Sequence, residues 1–481
     1  MTKDKPVSAI AEHERVNIGK MEKSRIKSSR LIIALLPAVI IVILLIWLLM
    51  TIFEGEKPQA HVEPLPDYLS KSVTFNTTIS DLKMGLRTVK VSVKQDGPVI
   101  PILKKSFSYD GLFNKRGIHT FKEEFEVDPI KLHLVQGQAS LIIEVHDFSK
   151  RRGGDGNLTI IEHKMIVDTI PPSITPISRS HNISIGGSGL ITYRISTDTS
   201  QSGILVNDLF FPGFPFMNDP QTGMYICYFA VPYNFEKDST LYLWAKDRAD
   251  NETKKAFFYH IRRKRFRSDK IGISDRLLDD VISSFPPGIF EPGKSKIEKY
   301  LYINRELREE NRARLKGLCQ SPSREKLWDG PWLRMKNAAT MAKFADQRIY
   351  YYKGELIGRG VHLGVDLASL ARSPVEAANS GRVIHAGDLG IYGLTVVIDH
   401  GQGLYTMYGH LSKIDVDVDQ SVTKGDTIGT TGKTGLATGD HLHFGFMVHG
   451  VAVDPIEWWD SHWIRDNVYR KLDIINKLAE K

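Results

Sequence analysis

Hydrophobic positions along this chain fall into distinct regimes, and the first is a block. Residues 31–53 are 23 consecutive positions without a charge, enough at about 1.5 Å per residue to cross a hydrocarbon core of roughly 30 Å. They predict one transmembrane helix. The apolar core of a cleaved signal peptide is shorter, about 7–15 residues, and ends in a small-residue site, whereas this block ends in Trp47, Leu48, Leu49, Met50 and Phe53. Lys20, Lys23, Arg25, Lys27 and Arg30 precede the block, and only Lys57 follows it closely. The positive-inside bias therefore makes residues 1–30 a cytoplasmic basic tail. It puts everything after about residue 54 on the periplasmic, extracytoplasmic side of the inner (cytoplasmic) membrane.

From about residue 73 to residue 261 the pattern changes to short alternating runs broken by Gly, Pro, Asn and Asp, which predicts strands. Leu141, Ile143, Val145 and Asp147 recur 100 residues later as Leu241, Leu243, Ala245 and Asp247. Two β-sandwich modules, 66–170 and 173–263, account for the repeat, with Ile170-Pro171-Pro172 between them. They resemble the tandem immunoglobulin-like modules of bacterial surface proteins. The aspartate ending each repeated strand reads as a turn opener. Residues 264–340 read as a helical connector, with helical composition over 275–285 and 296–318. Trp328, Pro331 and Trp332 form its hinge or its anchor. The basic run Arg262, Arg263, Lys264, Arg265 and Arg267 reads as a solvated linker.

In the last quarter of the chain the alternation carries chemistry. Val361, Leu363, Val365 and Leu367 alternate with His362, Gly364 and Asp366, and Leu442, Phe444, Phe446 and Val448 alternate with His441, His443 and Gly445. A strand reading puts His362 with Asp366 on one polar face and His441 with His443 on another. Imidazole nitrogens and a carboxylate are zinc donors, and three protein ligands with an open position define a catalytic site. Residues 394–410 read as a hairpin around Gly401-Gln402-Gly403, with His410 at its end. His385, His400 and His449 sit at or near turns and read as structural.

These residues resemble the lysostaphin/LytM-type zinc metallopeptidases of peptidoglycan. His362-Leu-Gly-Val-Asp366 is similar to that family's His-x-x-x-Asp, Tyr408-Gly-His410-Leu to its isolated histidine motif, and His441-Leu-His443 to its His-x-His. The resemblance covers about a quarter of the chain. It implies Zn2+ held by His362, Asp366 and His443, with His410 and His441 as catalytic histidines, either of which serves as base. It further implies an antiparallel β-sheet groove and hydrolysis of peptide cross-links on peptidoglycan stems. The expected fold is mainly β: one transmembrane helix, two β-sandwich modules, the helical connector, a metallopeptidase domain over 341–465 and a C-terminal helix over 466–481. A second reading makes the chain a non-catalytic activator or scaffold of other wall hydrolases; a third has the β-modules recruit division or elongation proteins, with cleavage secondary.

Other chemistries are excluded. No His-Glu-x-x-His helix is present, and Gly432-Lys433-Thr434 ends like a phosphate-binding loop but has Thr427 where that motif needs glycine. Cys227 and Cys319 cannot build a thiolate cluster and read as unpaired thiols. The net charge of +8 suggests nucleic acid until it is divided. Residues 1–30 hold 8 Lys+Arg against 4 Asp+Glu, the basic run adds five cations, and residues 341–465 have 10 basic against 14 acidic residues. The excess is a topology signal plus one basic run, so no nucleic-acid partner is expected.

Overall fold

The computed structural model describes residues 35–480. The basic tail 1–30, the first four residues of the 31–53 block and Lys481 lie outside the described residues. Two compact units divide the chain at Ile170–Pro171.

The first unit opens with an apolar helix, Leu35–Ile52, of mean hydropathy 3.0, none of whose residues is buried. Two antiparallel sheets follow. One orders Gln59–Glu63, Val73–Ser80 and Thr120–Val127. The other centres on Leu86–Lys94 and Gly137–Asp147, flanked by Val99–Ser106 and Leu158–Val167. Alternate residues of the two sheets meet in one core: Phe75, Ile79 and Phe125 against Val89, Val91, Val93, Leu141, Ile143 and Val145. Burial of every second side chain is what the period-2 pattern demands of facing sheets. Asp147 Oδ1 accepts from the backbone N–H groups of Ser149 and Asn157. Asp247 Oδ1 accepts from those of Ala249 and Asn251. Each aspartate thus ties its strand to the following turn.

The second unit begins with another pair of sheets, centred on Ser188–Ile195 with Met224–Ala230 and on Thr199–Val206 with Leu241–Asp247. Its core runs without a break into that of the C-terminal sheet. Tyr228 of this sandwich meets Trp328 and Trp458, and Trp458 stacks on Phe446 with ring centroids 4.6 Å apart. Trp328 and Trp332 are 2% and 3% exposed, which makes them an anchor and not a hinge.

The five cations of the basic run are all exposed, as a solvated linker requires, while His260–Arg262 pairs in parallel with Asn182–Ser184, Lys264 forms an ion pair with Asp454, and Phe266 packs against Phe344. One reading of the sequence is corrected: residues 264–340 are not wholly helical. Ser268–Ile273 is a strand paired in parallel with Gln347–Tyr352, because Ile271 and Ile273 alternate with polar residues and find an open sheet edge. Helices follow where capping residues start them. Ser274 accepts from Leu277 N–H, and Ser295 forms a capping box with Glu298.

The C-terminal segment Ser461–Ala479 is helical throughout and buries Ile464, Val468 and Ile475. It also buries Lys471, whose Nζ donates to Leu190 O. Nearby, the Glu457 carboxylate accepts from Ser188 N–H. Burial pushes the Glu457 carboxyl up to about 7 and the Lys471 ammonium down to about 7. A raised carboxyl contributes stability that is lost as pH climbs through its folded value; a lowered ammonium contributes stability that is lost as pH falls through its own. We therefore expect the melting temperature of the wild type to fall relative to Glu457→Gln between about pH 5 and about pH 8. A calorimetric difference independent of pH would refute this.

Candidate active site

The site is assembled on one face of a single sheet. Leu442–Val448 lies between Val365–Ala368 and Leu404–Leu411, in a register that pairs His443 with Asp366 on one side and with Gly409 on the other. Leu442, Phe444, Phe446 and Val448 point to the core shared with the sandwich. His443, Gly445 and Met447 therefore point the opposite way.

His362 reaches this face differently from the strand reading. Strand Glu355–Val361 ends just before it and the next strand begins at Val365. His362 thus sits in the crossing between two sheets, with its N–H donating to Asp346 O and its carbonyl accepting from Ala345. Gly364 in the same crossing has room for no side chain, since a Cβ there would lie 2.6 Å from His443 Nε2 and 2.8 Å from Phe444 O. His410 departs from alternation too. The pairing with Leu394–Asp399 shifts register between Leu394↔Leu411 and Val396↔Tyr408, and His410 takes φ +62°. This bulge turns His410 away from the core that holds Tyr408 and Leu411 and toward His441 and His443, at centroid distances of 4.8 and 5.7 Å.

Three donor atoms converge. His362 Nε2 is 2.9 Å from Asp366 Oδ1 and 3.0 Å from His443 Nδ1, and His443 Nδ1 is 2.9 Å from Asp366 Oδ1. His362 Nδ1 lies 3.0 Å from the carbonyl of Lys343. A carbonyl only accepts, so the proton is on Nδ1 and the Nε2 lone pair faces the carboxylate. Facing acceptors of this kind are reconciled by a cation. A tetrahedral zinc ion with bonds of about 2.0–2.1 Å separates its ligands by roughly 3.3 Å, so the triad needs only a slight opening. The donor set, with both imidazoles buried and the carboxylate nearly so, fits zinc.

His441 and His410 complete the cluster. The Nδ1 of each lies 2.8 Å from a backbone carbonyl, Gly439 for His441 and Thr434 for His410, which leaves both Nε2 lone pairs free. His441 Nε2 is 3.6 Å from Asp366 Oδ1. Burial, reinforced by the neighbouring imidazoles and only partly offset by Asp366, lowers His410 to about 3 and His443 to about 4. For His441 burial also acts downward, but the Asp366 carboxylate outweighs it and the net shift is upward. Asp366 is pushed up by burial and pulled further down by the histidines around it, well below the usual carboxylate range.

His400 is held between Ser380 O and Thr406 Oγ1, and the His449 ring stacks on Phe214. Neither these two nor His385 joins the cluster.

The histidines floor a cavity of about 500 Å3 whose opposite wall comes from segment 267–308, including Lys270, Leu277, Tyr300 and Arg308. The sequence allowed the connector helices to screen the cleft but singled out none of these wall residues, nor Arg348, whose guanidinium is 3.4 Å from Asp366 Oδ2. No local pattern marks these residues, since only folding brings the connector over the sheet.

Residues 360–455 match the family described as Peptidase family M23. The C-terminal sheet is a peptidase M23 domain. Its relatives include the DD-carboxypeptidase/endopeptidase Mpg of Neisseria meningitidis serogroup B, 38% identical over 96 residues, 20% of this chain and 22% of that protein. The peptidoglycan DD-endopeptidase ShyA of Vibrio cholerae is 40% identical over 96 residues, again 20% and 22%. Lysostaphin of Staphylococcus staphylolyticus is 36% identical over 111 residues, 22% of this chain and 23% of that protein. The chain thus spans about a fifth to a quarter of the length of these relatives. Among solved structures, a putative peptidase M23 from Pseudomonas aeruginosa aligns with 57% of this chain and 93% of its own, at 22% identity and TM-score 0.35.

The M23 sheet is braced by the connector through Asn311, which is 7% exposed and whose Oδ1 accepts from Ile391 N–H at 2.7 Å. The adjoining Tyr392 ring lies 5.6 Å from that of His443. Asn311→Ala leaves that buried N–H without a partner and should cost about 1–3 kcal/mol in denaturant unfolding. A stability equal to the wild type would contradict the bracing role.

Proposed function

We propose that this protein is a membrane-anchored zinc endopeptidase that hydrolyses peptide cross-links of peptidoglycan outside the cytoplasmic membrane. The observation that carries the reading is the convergence of His362, Asp366 and His443 in an M23 domain, with two more imidazoles on the same face. His362 through Nε2, Asp366 through Oδ1 and His443 through Nδ1 would hold the metal. When bound, zinc would supply Lewis acidity and a water whose pKa is lowered toward about 7.

The chain's own groups do the rest. His410, kept neutral by burial, offers its Nε2 lone pair to a proton of the attacking water, while the Thr434 carbonyl fixes the ring's tautomer. His441, more basic because it faces Asp366, is suited to carry a proton on Nε2 and pass it to the leaving amine. The reverse allocation uses the same two atoms. Segment 267–308 walls the cavity from solvent and presents Lys270 and Arg308 to whatever occupies it. Two of the relatives are named for DD bonds, which favours the D-Ala-containing cross-link. The apolar helix Leu35–Ile52, following a basic segment, supports anchoring with the M23 domain on the far side. Occupation of all five positions by histidine or aspartate disfavours the non-catalytic activator.

Full-length protein in detergent tests this against purified cross-linked muropeptides. His443→Ala should lose both zinc, measured by elemental analysis, and cleavage. His410→Ala should keep zinc and lose about 10²–10⁴-fold in rate. Stoichiometric zinc in a wild type that cleaves no cross-linked muropeptide would sink the enzymatic reading.

A further inference from the structure

The end of the first unit nearest the apolar helix carries features that the peptidase chemistry does not use. Where the helix finishes, the module's loops hold the chain tightly. Lys150 N–H donates to Ile52 O, Arg151 Nε to Phe53 O and Ser149 Oγ to Glu54 O, at 2.8 to 2.9 Å. Asn157 Nδ2 donates to the carbonyls of Glu54 and Glu56, and Lys83 pairs with Glu56 at 2.9 Å. The module is therefore stapled to the helix terminus and not joined to it by a free linker.

One loop goes further. The Phe113 ring packs edge-on against Trp47 with centroids 5.6 Å apart. Trp47 lies five residues before Ile52, or about 7.5 Å back along the helix axis. The loop carrying Phe113 thus reaches past the helix terminus to the depth at which amphipathic surface elements lie in a bilayer, about 5–10 Å into the headgroup and acyl boundary. Its neighbours suit that depth. Leu112 is 75% exposed and Leu82, in the adjacent loop, is 81% exposed. Lys115, Lys150 and Arg152 are exposed on the same loops, and none of them forms a salt bridge among the described residues. Apolar tips ringed by cations are the composition of a membrane-seated surface.

We propose that the loops at 81–85, 109–118 and 148–156 form a lipid-contacting surface. In it Leu82, Leu112 and Phe113 enter the acyl boundary, and Lys115, Lys150 and Arg152 meet the phosphates of anionic phospholipid. The proposal rests on the membrane reading of the helix and is independent of the zinc chemistry. It gives the first β-module a fixed stance on the bilayer.

The test uses full-length protein in nanodiscs of mixed zwitterionic and anionic phospholipid, labelled with an environment-sensitive fluorophore at one introduced cysteine. Both native cysteines are buried, so Leu112→Cys, Leu82→Cys and Ile130→Cys label selectively. Ile130 is the control: it is 72% exposed but lies in the loop between Thr120–Val127 and Gly137–Asp147, at the start of the strand whose far end, Asp147, adjoins the helix. Quencher-bearing lipids should extinguish emission from residues 112 and 82 and spare residue 130. Charge reversal at Lys115 and Arg152 should weaken quenching at residue 82. Equal quenching at all three positions, or none at residues 112 and 82 in protein that has entered the disc, overturns the surface. Failure to enter the disc overturns the membrane reading of the helix and the proposal with it.

Discussion

Everything at the M23 site hangs on the register of strand Leu442–Val448 between its two neighbours. A one-residue slip in a β-ladder turns every side chain to the other face. Here it would put His443 into the core and Phe444 into the cavity. The register is held from below, because Leu442, Phe444, Phe446 and Val448 interdigitate with a core that is continuous with the preceding β-sandwich. With that face settled, Asp366 and His443 stand side by side as a paired register position. The bulge at His410 and the crossing at His362 deliver the remaining imidazoles to the same spot.

The continuous core also explains why the second β-module is more than a spacer. Tyr228 from its sheet and Trp458 from the C-terminal segment pack around Trp328, so the sandwich supplies part of the floor on which the M23 sheet rests. The price appears as buried ionisable groups, Glu457 and Lys471, which the same interface covers. On the opposite face of the M23 sheet the connector helices bury Met407, Tyr405 and Met447 under Leu278, Val281, Tyr300 and Leu315. The cavity over the histidines lies at the margin of that packing, which is how a segment remote in sequence comes to wall it.

Much of the site was legible along the chain because the proposed metal donors are of few residue types and lie at short spacing. His362 with Asp366, and His441 with His443, announce themselves by a polar position every second residue over an apolar partner set. His410 was identified by its motif and not by its pattern: alternation puts it on the core face, and the bulge that redirects it leaves no signal in residue type. Arg308, Arg348 and Asn311 left none either. Their roles arise from contacts across tens of residues, and an arginine in a charged helix reads the same whether it faces solvent or a cavity. Composition likewise reports the charge of the basic run 262–267 but not the acceptors, Ser184 and Asp454, that the fold brings to Arg262 and Lys264.

By itself the sequence determined what local periodicity and short spacing encode: an apolar helix of membrane-spanning length, repeated strands with turn-opening aspartates, and a His/Asp/His set with two histidines beside it. Tertiary structure alone decided that His362 and His410 reach the face that holds His443, that the second sandwich and the M23 sheet share one core, which connector residues wall the cavity, and that loops of the first module close around the helix end. The division has one physical cause. Backbone periodicity acts between residues a few positions apart, whereas a shared core, a bulge or a cavity wall depends on surfaces that meet only after the chain has folded.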